Sequence, residues 1–167
     1  MDEASARPSP TRRAFHDVLG EAVKIAAMPS ITLTPENLRQ ISARMTDDTW
    51  VVACLCAAWC DVCNQYRPGF DALSKRHPDK LFLWIDIEDR ADLVGDFDVE
   101  NFPTLLLQRG DDVVFYGTTL PDQHVAHRLA TSHAEKSETE RRTESMSTER
   151  TAWRRERNLR KILREAG

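Results

Sequence analysis

Apolar residues recur along this chain in two rhythms, one continuous and one helical. The run Trp50-Val51-Val52-Ala53-Cys54-Leu55-Cys56, bounded by polar Thr49, predicts a buried strand. At Trp59-Cys60 the rhythm changes, and Val62, Tyr66, Phe70 and Leu73 fall at helical spacing. Leu81-Phe82-Leu83-Trp84-Ile85-Asp86-Ile87 predicts a second buried strand, parallel to the first because a helix makes the crossover between them. Leu105-Leu106-Leu107 and Val113-Val114-Phe115-Tyr116, joined through Gly110-Asp111-Asp112, predict an antiparallel hairpin, with Gly117 ending the sheet.

Shorter elements fill the intervals. Ile31 to Leu33 can supply an edge strand, and Thr34-Pro35-Glu36 signals a helix start, with Thr34 as N-cap and Leu38, Ile41 and Met45 facing inward. Ala91, Leu93, Val94 and Phe97 predict a short helix. A final helix opens near Pro121-Asp122 and carries Val125 and Leu129 inward. At the start of the chain, residues 1–13 are rich in Pro, Ser and charge and are expected to be disordered. Phe15, Val18, Leu19, Ala22, Val23 and Ala26 then mark a short amphipathic helix, a loosely packed leader in the simpler reading and a docking helix in the other.

Beyond His133 the pattern fades. Residues 134–146 are Ser, Thr, Glu and Arg with almost no apolar residue, a composition that predicts a linker and is compatible with a solvated helix. After it, seven basic side chains face three acidic ones between Glu149 and Gly167, with Trp153, Leu159, Ile162 and Leu163 in a ragged apolar stripe. The expected organisation is an extension over 1–33, partly disordered with a short helix, one domain over 34–133, and a charged flexible or helical tail over 134–167. The tail is expected to be a separable element whose removal after His133 leaves the domain working; docking within the molecule, docking on a partner and a merely solvated helix all stay open.

Composition sets bounds on function. A domain of about 100 residues can bury a self-sufficient core, and the net charge of −4 argues against general nucleic-acid binding. No apolar run approaches the ~20 residues of a membrane span. Thr11-Arg12-Arg13-Ala14-Phe15 mimics a twin-arginine export signal, but Asp17, Glu21 and Lys24 interrupt the apolar stretch such a signal needs. All four cysteines lie between positions 54 and 63, too close together to staple distant loops, which fits a reducing, cytoplasmic setting.

The dithiol Cys60-Asp61-Val62-Cys63 sits where a strand feeds a helix. The first turn of a helix exposes unpaired N–H groups and the positive end of the dipole, which favour a thiolate at Cys60 and make it the expected nucleophile. Cys63, one turn on, is the expected resolving thiol. Asp61 beside Cys60 either disfavours the thiolate by like charge and makes the dithiol more reducing, or simply interacts with the helix dipole. A Cys-x-x-Cys pair can also be half of a zinc site, but Cys54 and Cys56 lie inside a strand rather than on a converging loop, so no metal is expected. His16, His77, His124, His127 and His133 are scattered through surface segments and offer no ligand set.

Trp59-Cys60-Asp61-Val62-Cys63 after a buried strand, Pro68 eight residues past Cys60, and Phe102-Pro103-Thr104 further on together resemble the thioredoxin family over residues 34–133. The resemblance implies an α/β thioredoxin-like fold, a central mixed sheet flanked by helices. It implies a cis proline at Pro103 facing the dithiol, a helix kink at Pro68, and partner contacts by Trp59, Phe102, Pro103 and Thr104, although packing would account for Trp59 equally well. The site departs from the family in two places. Cys54 stands where the family has a buried acid that assists the resolving thiol, and Asp61-Val62 replace Gly-Pro. Cys54 is either an added redox thiol or, more simply, a small buried hydrophobe. Met28 precedes the first thioredoxin-like element, so a start there is an alternative.

The expected function is thiol-disulfide oxidoreduction on cysteine-containing protein substrates, with an unidentified reductase for recycling and no cofactor beyond the redox-active disulfide. The rival is a binding or chaperone-like module that keeps the fold and uses its peptide-binding edge, its dithiol slow or regulatory.

Overall fold

The computed structural model describes residues 29–167; the expected disorder over 1–13, the amphipathic helix from Phe15 to Ala26 and the alternative start at Met28 lie outside the described residues. Five strands form one mixed sheet: β1 (Ile31–Thr32), β2 (Trp50–Cys56), β3 (Lys80–Asp86), β4 (Thr104–Arg109) and β5 (Asp112–Thr118), in the order β1-β3-β2-β4-β5. β1 and β2 both run parallel to β3, while β2 pairs antiparallel with β4 and β4 with β5. β2 is central, flanked on both edges and covered on both faces, which is why its sequence is apolar almost throughout rather than alternating. The hairpin turns at Gly110, whose φ of +56° and approach to Asp47, where an added Cβ would lie 2.6 Å from the carbonyl oxygen, both require glycine. β5 runs one residue past Gly117.

The helices are α1 (Leu38–Arg44), α2 (Asp61–Arg76), α3 (Ala91–Val94), α4 (Gln123–Glu135), α5 (Glu138–Ser145), α6 (Thr148–Glu156) and α7 (Leu159–Ala166), with a 3-10 turn over Gly95–Phe97. Thr34 is not the cap of α1. The Asn37 side chain accepts from Thr34 N–H at 2.9 Å and closes a turn over the Pro, so α1 starts one turn later with Asn37 at its cap. α4 also turns a different face inward: Ala126 and Ala130 are buried, with Leu129 at the margin and Val125 only half-covered. Small side chains let α4 approach α2 closely, where Gly69 faces Gln123.

The residues alternate between two cores. On one face Val52, Cys54, Cys56, Cys63, Tyr66, Phe70 and Trp84 pack with α4. On the other, Val51, Ala53, Leu55, Leu83 and Ile85 meet α1, α3 and, from the tail, Leu159 and Leu163, both fully buried.

That last contact is docking within the molecule, one of the alternatives open for the tail. The polar stretch after His133 is not a linker: α4 runs to Glu135, then a capping box between Ser137 and Glu140 starts α5, which buries nothing and matches the solvated-helix alternative. Ser147 caps α6 and Asn158 caps α7. Asn158 Oδ1 accepts from Gln108 Nε2 at 2.6 Å, and Gln108 Oε1 accepts from Leu159 N–H at 3.0 Å. Arg150 reaches Asp112 at 2.7 Å and Arg160 reaches Asp47 at 2.7 Å, both arginines being buried. Arg154 also reaches Asp112 and Arg160 Asp111, so three of the tail's basic side chains pair with carboxylates of the sheet domain, and the second core continues across position 133.

Candidate active site

β2 ends at Cys56, and four residues carry the chain from there to the start of α2. Cys56 C=O accepts from Ile87 N–H at 2.9 Å, a backbone tie to the segment that follows β3. Asp86, at the end of β3, then organises the loop: its Oδ2 accepts from Ala58 N–H at 2.8 Å and its Oδ1 from Glu88 and Asp89 N–H at 2.9 and 3.1 Å. Asn64 Nδ2 donates back to Ala58 C=O at 3.1 Å. Sequence reading missed Asp86, Glu88 and Asn64; the only trace was a carboxylate closing an otherwise apolar strand.

Trp59 is 65% exposed. Its Nε1 donates to Glu88 Oε1 at 2.9 Å, and its ring meets Phe102 edge to face at 5.5 Å. An exposed tryptophan tied at both ends keeps a defined orientation over the loop. The Phe102-Pro103 bond is cis. Pro103 C=O accepts from Thr119 N–H at 3.1 Å, and the buried Thr104 turns its hydroxyl to Asn101 C=O at 2.7 Å.

Cys60 occupies the N-cap position of α2, with extended backbone and its carbonyl already accepting from Asn64 N–H at 3.1 Å. Asp61 and Val62 are exposed in the first turn. Of the four cysteines Cys60 is the one with solvent access: Cys54, Cys56 and Cys63 are all buried. Pro68 lies inside α2 and removes the N–H that would have paired with Asn64 C=O.

The disulfide in the structure joins Cys63 to Cys56, with Cα atoms 6.0 Å apart, and Cys60 is a free thiol. Residues 54 and 56 share the sheet face under α2, so Cys54 Sγ lies 3.4 Å from Cys56 Sγ. With Cys56 oxidised, the S–H of that contact belongs to Cys54, which donates. Burial pushes the Cys54 thiol far up from its ordinary value, against a smaller opposing influence from the Arg67 charge, so it keeps its proton. Arg67 Cζ lies over the Trp84 ring, 4.5 Å from its centroid, and Arg67 pairs with Asp71.

Among the described residues no group of three or more His, Cys, Asp or Glu is placed to hold a metal ion. His77 and His127, from α2's C-terminal end and α4, do meet, at 2.9 Å between ring nitrogens, whereas His124 and His133 lie elsewhere and His16 is outside the described residues.

A thioredoxin family model matches residues 30–131. The chain belongs to the thioredoxin family. A thioredoxin-family relative, the putative thioredoxin 2 of Streptomyces coelicolor, is 31% identical over 86 residues, which is 52% of this chain and 62% of that protein. The H-type thioredoxin of Brassica campestris is 29% identical over 73 residues, 44% of this chain and 59% of that one. The matched segments thus span about three fifths of these curated thioredoxins. A poplar thioredoxin h has the same fold with a TM-score of 0.58 at 23% identity, covering 65% of this chain and 99% of that one. Thioredoxin f from spinach chloroplast aligns with a TM-score of 0.56 at 17% identity over 66% of this chain and 97% of its own. Residues 132–167, with the C-terminal helices that complete the second core, lie beyond the family-model match.

Proposed function

We propose that this protein is a thiol-disulfide oxidoreductase that reduces disulfides in cysteine-containing proteins. The observation that carries the reading is the accessibility of one cysteine: Cys60, at the start of α2 beside the exposed Trp59, is the one cysteine that is not buried, while Cys54, Cys56 and Cys63 are buried. Cys60 attacks one sulfur of the substrate disulfide, forming a mixed disulfide and releasing the other sulfur as a thiolate. Cys63 then attacks Cys60 Sγ and expels the second substrate sulfur, so two electrons pass to the substrate and the pair is left oxidised. Trp59 and Phe102 form the partner-binding rim, with the buried Pro103 and Thr104 beneath it, and an extended peptide pairs along this edge. Cys54, Asp61 and Val62 tune the dithiol. No cofactor is required. A reductase recycles the disulfide, and clustered rather than stapling cysteines suit a cytoplasmic role in redox homeostasis. Among the described residues no helix is long and apolar enough to cross a membrane.

Turnover of insulin disulfides with dithiothreitol as electron donor tests the assignment. Cys60→Ser should drop turnover to the uncatalysed background, and Cys63→Ser, reduced and then mixed with insulin after dithiothreitol is removed, should accumulate a mixed disulfide on Cys60. Turnover retained by Cys60→Ser would show that another thiol attacks.

A further inference from the structure

The two-thiol cycle leaves Cys56 without a task, yet it is Cys56 that is bonded to Cys63. Cys54, Cys56 and Cys63 form a continuous chain of sulfurs inside the apolar layer between the sheet and α2, walled by Tyr66, Phe70 and Trp84, and Cys60 stands outside it. We infer that Cys56 is a third redox thiol: it takes Cys63 from the Cys60–Cys63 disulfide, so that the oxidised protein keeps its disulfide in the core and presents Cys60 again as a free thiol. The inference rests on the oxidoreductase reading above.

The step needs no oxidant. Cys56 Sγ, as thiolate, attacks Cys63 Sγ; the Cys56–Cys63 bond forms, the Cys60–Cys63 bond breaks, and Cys60 leaves as a thiolate that takes up the proton Cys56 has lost. One disulfide and one thiol stand on each side. Two features set the direction. The leaving sulfur at Cys60 is released where water reaches it, whereas release of Cys56 in the reverse step puts an anionic sulfur into an apolar cluster. A disulfide has no charge to solvate and loses nothing by burial. The Cys54 S–H, held protonated by its surroundings, donates to Cys56 Sγ and lowers the cost of the buried anion through which the exchange passes in either direction, so it bears on the rate and not on the direction.

The exchange alters what the oxidised protein can do. With Cys63 engaged inside, Cys60 can still attack a substrate disulfide, but only a substrate thiol can resolve the mixed disulfide. Net electron transfer is then zero and the substrate's disulfides are rearranged. Reversal of the exchange brings the disulfide back to Cys60, where a reductase can reach it.

Differential thiol labelling of the full-length protein tests this. Fully reduced protein is oxidised with one equivalent of diamide and quenched with acid; free thiols are blocked with N-ethylmaleimide in denaturant, and the remainder, after reduction, with iodoacetamide. Tandem mass spectrometry then reads each cysteine. At completion the wild type should carry maleimide on Cys54 and Cys60 and acetamide on Cys56 and Cys63, with early quenching catching acetamide on Cys60 before it passes to Cys56. In Cys56→Ser and Cys56→Ala the acetamide should stay on Cys60 and Cys63. Acetamide on Cys60 and Cys63 at completion in the wild type, with Cys56 blocked by maleimide, would overturn the relay and leave the two-thiol cycle standing. Acetamide on Cys56 that never passed through Cys60 would overturn the exchange route. Lack of acetamide on Cys60 and Cys63 in both Cys56 variants would sink the two-thiol cycle itself, and the relay that draws on it.

Discussion

At the scale of single residues, the site depends on a carboxylate that does no redox chemistry. Asp86 accepts three backbone N–H groups, from Ala58, Glu88 and Asp89, and by holding Ala58 it fixes the path of the chain into Cys60. Each such charge-assisted bond is stronger than a neutral one, and removal leaves three donors to find water. Asp86→Ala should cost about 1–3 kcal/mol, read as a lower urea midpoint at unchanged slope. Disulfide reduction should fall as well, because the loop that presents Trp59 and Cys60 loses its anchor. Asp86→Asn keeps an acceptor but loses the charge, so it should lie between Ala and wild type. Equal urea midpoints for wild type and Asp86→Ala would mean that water replaces the carboxylate at no cost.

At the scale of elements, the C-terminal helices decide whether the domain has a complete core. Leu159 and Leu163 are fully buried against α1 and α3, and Gln108, fully buried on β4, has its side-chain oxygen and nitrogen satisfied through Leu159 N–H, Asn158 and Gly110. Truncation after His133 uncovers that core and strands the Gln108 amide. The truncated chain should lose cooperative unfolding, not merely partner capture. Leu163→Ala, a milder change, should destabilise the full chain by about 2–5 kcal/mol, measured by denaturant titration. A shortened chain with wild-type stability would restore the tail to the separable role its composition suggests. The apolar stripe of α7 is narrow, and few residues at helical spacing look like a solvated helix until the groove that accepts them is known.

At the scale of the whole molecule, the histidines couple stability to pH. His77 is held below its ordinary value of 6.5 first by burial and then by Lys80 and His127, with Asp79 opposing and Arg76 adding a little. His133 is held low by burial, then by Lys136 and Arg150, with Glu144 and Asp112 opposing. Between the lowered value and the ordinary one the unfolded chain binds more protons than the folded one, so stability is full above about pH 6.5 and drains away as the pH falls below it. At His77 burial leads, and the His127 ring nitrogen 2.9 Å away adds to it as a second charge nearby once both rings are protonated. The melting temperature should hold from about pH 8 to about pH 6.5 and then decline toward about pH 5. His77→Gln should flatten that decline, and an unchanged slope in this variant would assign it to other groups.

By itself the sequence determined the sheet and the position of the dithiol. Trp50 to Cys56 and Leu81 to Ile85 are apolar without alternation because both faces of a central strand are covered, and that pattern is local enough to read. The break at Trp59-Cys60 placed Cys60 at the head of α2 for the same local reason. Tertiary structure alone decided what depends on residues far apart in the chain: Asp86 under Ala58, Glu88 on Trp59, Leu163 in the second core, His77 against His127. It also decided the partnership of the sulfurs. Spacing allows Cys63 to reach Cys60 along one helical turn, but only the docking of α2 on β2 brings Cys63 against Cys56, since a strand and a helix have no common period from which such a contact could be read.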